Sequence, residues 1–280
     1  MKVAVIGAGT MGSGIAQACA VAGHDVVLVD TSAEALARAQ AGMQNSLERL
    51  VKRDKVSEQD ATAAMARVST STSYEGVAAA DVVVEAVYES PEVKRQVWQE
   101  LAKVAREDAL LATNTSSLSV TEIASYSGRE ERMVGMHFFN PVPMMALVEV
   151  VRGLRSGSAA MDEAKAFVEG LGKSPIVCED KPGFIVNRLL VPYINDAMHA
   201  LAEGVASAED IDRAMKLGAN MPIGPLALAD LVGLDVCLAA GESLLAEFAD
   251  PKFRPAPLLR QMVRAGKLGR KSGEGFFDYE

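Results

Sequence analysis

His137 is one of three histidines in a chain of 280 residues, and its surroundings set it apart from the other two. His24 follows the helix-ending Gly23, and His199 falls within a long helical segment. His137 instead sits near the end of the strand-like run Met133 to Phe139. Asn140-Pro141-Val142-Pro143 forbids that strand from continuing, and Leu147 to Val151 resumes the pattern. If the two runs fold back antiparallel about Pro143, His137 and Glu149 are equidistant from the turn and face each other across it. A carboxylate on one ring nitrogen fixes the tautomer and strengthens the other nitrogen as a base.

The chemistry open to such a base is suggested by the start of the chain. Val3, Val5 and Ile6 make a short apolar strand, and Gly7-Ala8-Gly9-Thr10-Met11-Gly12 follows at once. Gly7 permits a tight turn, Gly9 lets a diphosphate approach the backbone, and Gly12 lets the next helix pack closely on the strand. That helix points its first N–H groups at the diphosphate, so Thr10 and Met11 join the expected cofactor contacts. Val26 to Val29 form a second strand closing on Asp30. A carboxylate there accepts both ribose hydroxyls of an adenosine and repels a 2′-phosphate, which favours NAD over NADP. Base and cofactor together suit oxidation of a hydroxyl to a ketone: one group takes the hydroxyl proton while hydride leaves the same carbon.

Two further polar residues stand out. Ser116 lies in Thr113-Asn114-Thr115-Ser116-Ser117, just beyond the strand Ala109 to Ala112, where open α/β sheets bind their ligands. It can donate to or accept from a substrate oxygen; the plain alternative is a serine-rich turn capping the helix that starts near Ser119. Asn187 interrupts the apolar stretch Pro182-Gly-Phe-Ile-Val-Asn187-Arg188, either to reach substrate or to make an interdomain hydrogen bond.

These residues need a scaffold, and the chain order supplies one. After Asp30 the next strand candidate, Arg67 to Thr72, lies far downstream, and helices fill the gap. Thr31-x-x-Glu34 reads as a capping box, Leu36, Ala39, Met43, Leu47 and Leu50 form one apolar stripe, and a second helix begins after Ser57. Between these helices Lys52, Arg53 and Lys55 form either a solvated helix end or a phosphate site. Asp81 to Val87 is a strand buried on both faces, and Pro91 opens the helix after it. Ser158 to Leu171 is helical, Pro175 to Cys178 is a strand, and Asp180-Lys181-Pro182-Gly183 breaks the pattern. Beyond it everything reads as helix: Gly183 to Glu203 with a kink at Pro192, a helix opened by Ser207-x-x-Asp210, one from Pro225 through Phe248, and a short one over Pro257 to Ala265. The expectation is a Rossmann-type, doubly wound, mainly parallel sheet over residues 1–181 with a helical insertion at 31–66, then an all-α domain over 182–280. The helical domain has more apolar face than it can bury internally, which suggests self-association.

Composition narrows the partners. The chain is 49% hydrophobic and 23% charged, as an ordinary globular protein is, with net charge −9 and pI near 5.0. That balance argues against nucleic acid or an anionic membrane as a partner, and a polyanionic ligand needs a local basic patch. A strand starting at residue 2 leaves no room for a signal peptide, so a cytoplasmic location is expected. Cys19, Cys178 and Cys237 are odd in number and lack metal spacing, so they read as small buried side chains, and no metal is expected.

The sequence resembles the 3-hydroxyacyl-CoA dehydrogenase family, and within it the compact bacterial 3-hydroxybutyryl-CoA dehydrogenases. The resemblance runs through VIGAGTMGSGIA from Val5, NTSSLSVTEIA from Asn114, GMHFFNPVPMMALVEVV from Gly135, DKPGFIVNRLLVPYINDA from Asp180, DIDRAMKLGANMPIGPLALADLVGLD from Asp210 and GRKSGEGFFDY from Gly269. It covers essentially the whole chain. It implies reversible NAD-dependent oxidation of a short-chain (S)-3-hydroxyacyl-CoA in an interdomain cleft, with His137 the base paired to Glu149 and with Ser116 and Asn187 holding the substrate oxygen. It places Asp30, Glu89, Lys94, Ser116, Asn140 and Lys271 around NAD. Coenzyme A falls against the inserted helices, where Ser46 and the Lys52, Arg53, Lys55 cluster lie, and Ser116 also meets the substrate. The family's helical domain forms a dimer interface. Two rivals remain: a dehydrogenase of a free hydroxy acid or polyol on the same scaffold, and a non-catalytic NAD-binding protein.

Overall fold

Short apolar runs alternating with amphipathic helices bury both faces of each strand most simply as a mainly parallel sheet with helices on either side. The computed structural model, which describes residues 1–279, has this arrangement in the first of two compact units, Met1–Lys181. In order it comprises β1 (Lys2–Ile6), α1 (Thr10–Val21), β2 (Asp25–Val29), α2 (Ala33–Val51), α3 (Glu58–Ala66), β3 (Val68–Ser71), β4 (Val82–Glu85), α4 (Pro91–Val104), β5 (Leu110–Thr113), α5 (Val120–Ser127), β6 (Met133–Phe138), β7 (Leu147–Arg152), α6 (Ser158–Gly170) and β8 (Ser174–Glu179). The strand order is β3-β2-β1-β4-β5-β6-β7-β8. Strands β1 to β6 are mutually parallel, β7 is antiparallel to β6, and β8 is parallel to β7.

Alternation along β1 shows how the layers form. Val3 and Val5 join one core with Ile15, Leu28, Met43 and Phe167, while Ala4 and Ile6 join another with Val83, Trp98, Leu101 and Ile123. Strand β6 is buried along its whole length, so apolar alternation does little to fix its register. Gly135 does more: it pairs with Val151, and a Cβ built on it would lie 2.8 Å from both the Val151 Cβ and the Val120 Cγ2.

Helix starts follow serines. Ser57, Ser90 and Ser119 accept from the N–H three residues on, as N-caps do. The expected cap at Thr31 is displaced by one residue. Ser32 caps α2, its Oγ accepting from Ala35 N at 3.1 Å, because the Asp30 carboxylate takes the Ser32 N–H and leaves Thr31 in the exposed lead-in.

The second unit, from Pro182 on, holds α7 (Val186–Ala202), α8 (Ala208–Gly218), α9 (Pro225–Val232), α10 (Leu234–Phe248) and α11 (Pro257–Arg264) around Ile194, Met198, Leu226, Leu234 and Leu259. Pro192 lies inside α7, and Ser207 caps α8. The single helix expected from Pro225 to Phe248 is two, divided at Gly233, whose φ of 103° ends α9. A side chain there would also crowd Asp235 and Lys271. The buried Asp230 of α9 anchors the end of the chain: it accepts from the N–H groups of Phe276 and Phe277 and from the Tyr279 hydroxyl, each at 3.0 Å. Burial, with the Asp230 bond, pushes the Tyr279 phenol up to about 12.

Cys19 and Cys237 are buried as expected, whereas Cys178, on the edge strand β8, is only partly so, and burial pushes all three thiols up to about 12. Among the described residues no helix is long and apolar enough to cross a membrane, and no cluster of His, Cys, Asp and Glu has metal-binding geometry.

His24 stacks on Phe167, with ring centroids 5.7 Å apart, and its Nε2 is buried without a hydrogen-bond partner among the described residues. Desolvation, aided by the N-terminal charge, lowers its pKa below the ordinary histidine value. The folded state therefore binds fewer protons here than the unfolded chain, and stability falls as the pH drops through about 6.5. His24→Gln is expected to flatten the loss of thermal midpoint between pH 7.5 and pH 5; parallel curves for parent and variant would remove His24 from that loss.

Candidate active site

The glycine turn shapes the space in front of α1. A Cβ on Gly7, whose φ is 103°, would lie 2.6 Å from the Ala86 carbonyl oxygen, and one on Gly12 would lie 1.8 Å from the Gly7 oxygen. These two glycines are closed in by backbone. Gly9 is not: nothing lies within 4 Å of its Cβ position, and as N-cap of α1 it offers the helix no side-chain acceptor. The leading N–H groups of α1, from Thr10 and Met11 onward, thus face a cavity of about 970 Å³ bounded by the glycine turn, the end of β2, α2 and α4. An open glycine beside an uncapped helix start fits a diphosphate.

Asp30 borders the same cavity. Its Oδ2 accepts from Ala8 N at 2.8 Å and its Oδ1 from Ser32 N at 2.9 Å, so the carboxylate ties the glycine turn to the start of α2. Each oxygen keeps a lone pair for a ribose hydroxyl. Sequence reasoning missed the row that α2 turns to this space, Ala35, Arg38, Ala39 and Gly42. Small residues at helical spacing were the available signal.

Across the carboxyl ends of β4 and β5, Glu89 organises the Asn114–Ser117 turn. Its Oε1 accepts from Thr115 Oγ1 at 2.6 Å, Ser116 N at 2.8 Å and Ser117 N at 3.1 Å. Lys94 lies 3.3 Å from its other oxygen. Burial pushes the Glu89 carboxyl up, but Lys94 and these donors outweigh it and hold it below the usual carboxylate range. Lys94 is itself fully buried and donates to Glu85 Oε1 at 2.6 Å. Glu85 was overlooked in the sequence, although an acid closing the run Val82-Val83-Val84 in a buried strand is a legible anomaly.

The hairpin of β6 and β7 brings His137 opposite Glu149 in register, with Nδ1 2.7 Å from Oε2. Glu149 is fully buried, and His137 is 7% exposed. Asn114 Oδ1 accepts from Phe138 N at 2.9 Å, which ties the end of β5, and the Ser116 turn beyond it, to the end of the histidine strand. Asn140 follows, exposed, and the Asn140–Pro141 bond is cis. Lys173 donates to the carbonyls of Val142 and Met145 at 2.6 and 2.7 Å and so holds the turn between the two strands.

The remaining expected residues fall on the inserted helices and in the second unit. Lys52, Arg53 and Lys55 are exposed in the turn after α2, which Asp54 closes with φ of 54°, and none of the three forms an ion pair among the described residues. At 1.5 Å per residue, Lys52 stands about 21 Å along the helix direction from Arg38, and Ser46 is partly exposed between them. In the second unit, Asn187 is half-buried in the first turn of α7, and Lys271 pairs with Asp235.

Residues 2–181 match the family profile of the 3-hydroxyacyl-CoA dehydrogenase NAD binding domain, and residues 183–279 match that of the 3-hydroxyacyl-CoA dehydrogenase C-terminal domain. A 3-hydroxybutyryl-CoA dehydrogenase of Bradyrhizobium diazoefficiens is 48% identical over 99% of this chain and 95% of its own length. One from Clostridioides difficile is 48% identical over 100% and 99%. The crystal structure of an (S)-3-hydroxybutyryl-CoA dehydrogenase from Ralstonia eutropha superposes with a TM-score of 0.95 at 50% identity, covering 100% of this chain and 99% of that one.

Proposed function

The chain belongs to the 3-hydroxyacyl-CoA dehydrogenase family, and we propose that it oxidises short-chain (S)-3-hydroxyacyl-CoA, with 3-hydroxybutyryl-CoA the first substrate to try, reversibly to the 3-oxoacyl-CoA. The observation that carries this reading is the buried His137–Glu149 pair at 2.7 Å. With Nδ1–H donated to Glu149, His137 keeps Nε2 as the nitrogen that takes the hydroxyl proton, and the carboxylate stabilises the imidazolium that results. Bound NAD supplies the hydride acceptor for the carbinol carbon. Ser116 and Asn187 hold the substrate oxygen, Glu89 orients Ser116, and Lys94, Asn140 and Lys271 complete the surroundings of the cofactor. The protein works in the cytoplasm as a homodimer through its helical second unit, whose exposed Leu189, Leu217, Leu231 and Val236 supply apolar surface.

Assay of NADH formation with (S)-3-hydroxybutyryl-CoA and with free 3-hydroxybutyrate tests the reading: turnover confined to the thioester is expected. Turnover of the free acid alone would favour a hydroxy-acid dehydrogenase, and NAD binding without turnover of either would favour a non-catalytic role.

The exposed cations after α2 are assigned the coenzyme A phosphates, with Ser46 on the same helix. Neutralising Lys52, Arg53 and Lys55 together is expected to raise KM for the CoA thioester about fivefold, an effect that weakens as salt rises. An N-acetylcysteamine thioester, which lacks the phosphates, should be turned over as before. Equal damage to both substrates would return the cluster to a solvated helix end.

A further inference from the structure

Glu85 accepts four hydrogen bonds in a fully buried site. Lys94 Nζ at 2.6 Å and Val87 N at 3.0 Å reach Oε1; Thr113 Oγ1 at 2.8 Å and Trp98 Nε1 at 3.2 Å reach Oε2. Two carboxylate oxygens offer about four acceptor sites, so this one is saturated and has nothing left for a ligand. Its exposure is 0%, as are those of Lys94, Trp98 and Thr113. A buried ion pair of this kind adds little stability that well-packed apolar side chains would not supply, because taking both charges out of water offsets their attraction. Orientation is a better account of it, since two of the donors, Val87 and Lys94, lead toward the candidate site. The Val87 N–H belongs to the Ala86–Tyr88 segment, which walls the cavity before α1. Lys94 carries its charge on to Glu89, and Glu89 gathers the donors of Thr115, Ser116 and Ser117.

We propose that Glu85 is a positioning residue for the reaction: it fixes Lys94 between two carboxylates and thereby sets Glu89 and the Ser116 turn, while its bond to Val87 sets the adjoining cavity wall. This rests on the reading that the Ser116 turn and Lys94 serve substrate and cofactor. Without the Glu85 charge, Lys94 has Glu89 as its remaining carboxylate and draws it away from the turn. Glu85 thus acts wholly through other residues, at one remove from the reacting atoms.

The test compares three variants by kcat, KM for 3-hydroxybutyryl-CoA, NAD dissociation constant by calorimetry, and thermal midpoint. Glu85→Gln is expected to lower kcat and to weaken NAD binding each about tenfold, with KM for the thioester within about twofold. Glu85→Gln combined with Lys94→Met removes both buried charges; it should return the thermal midpoint to within about 3 °C of the parent without recovering kcat. Parental kcat and NAD affinity in the single variant would overturn the inference. So would recovery of kcat together with stability in the double variant, because Glu85 would then only balance a charge. If the single variant does not fold, recovery of kcat in the double variant still overturns the inference. Ser116→Ala separates this inference from the reading beneath it: parental kcat there would undermine the role of the turn itself, whereas a loss there beside a parental Glu85→Gln would sink only the positioning role.

Discussion

Glu149→Gln is expected to lower kcat about 10²-fold while KM for the acyl-CoA changes far less. The amide keeps the volume and one acceptor, so the packing around a fully buried side chain is retained. What goes is the negative charge 2.7 Å from His137 Nδ1. That charge does little for a neutral ring in the ground state and much for the imidazolium formed as the hydroxyl proton arrives. Its loss therefore falls on the transition state. The amide can also turn its NH₂ to Nδ1, which moves the ring proton to Nε2 and blocks the base outright. Steady-state kinetics with Glu149→Gln, His137→Gln and the double variant check the pairing. The double should be little worse than either single, since residues acting as a unit are not additive. Multiplicative losses would mean that the two act independently.

Asp30→Ala carries the second large effect: about a tenfold or greater rise in KM for NAD and a narrowed preference over NADP. The variant loses more than ribose bonds, because the carboxylate also holds Ala8 N and Ser32 N. Part of the lost affinity comes from a loosened glycine turn, so affinity alone does not identify the discriminator. Asp30→Asn separates the contributions: it keeps one acceptor for the backbone yet has no charge to repel a 2′-phosphate. Both variants should narrow the ratio of kcat/KM for the two cofactors, with Asp30→Asn losing less NAD affinity. A parental ratio in Asp30→Asn would assign the preference to other residues of the cavity.

Features with local causes were legible in the sequence. The apolar run of β1, serine caps, the prolines after Phe139 and the equal spacing of His137 and Glu149 about Pro143 all follow from chain chemistry within a few residues. The misreadings arose where a distant contact overrides a local signal. Thr31 has the right spacing for a cap, but Asp30, whose other oxygen accepts from Ala8 N 22 residues away, claims the Ser32 N–H and shifts the start by one residue. Leu234 to Phe248 continues the apolar pattern of α9, yet Gly233 turns the chain beside Lys271, far along the sequence. Glu85 was passed over because its partners come from a strand, a helix and the loop after β4, and a lone acid gives no hint of which cation will meet it. The same holds for Arg38, which a helical stripe marks as outward-facing without saying that a cavity lies outside.

Gly135 gives the hairpin a built-in assay. A slip of one step along β6 would bring Met136 or Val134 to the place beside Val151 and Val120 that has no room for a Cβ, and it would turn His137 to the opposite face of the sheet. A refolding experiment followed by circular dichroism counts strands and helices, including any formed out of step. Enzyme turnover counts only molecules in which His137 has met Glu149, so the difference between the two recoveries sets an upper bound on how often this hairpin zips up wrongly.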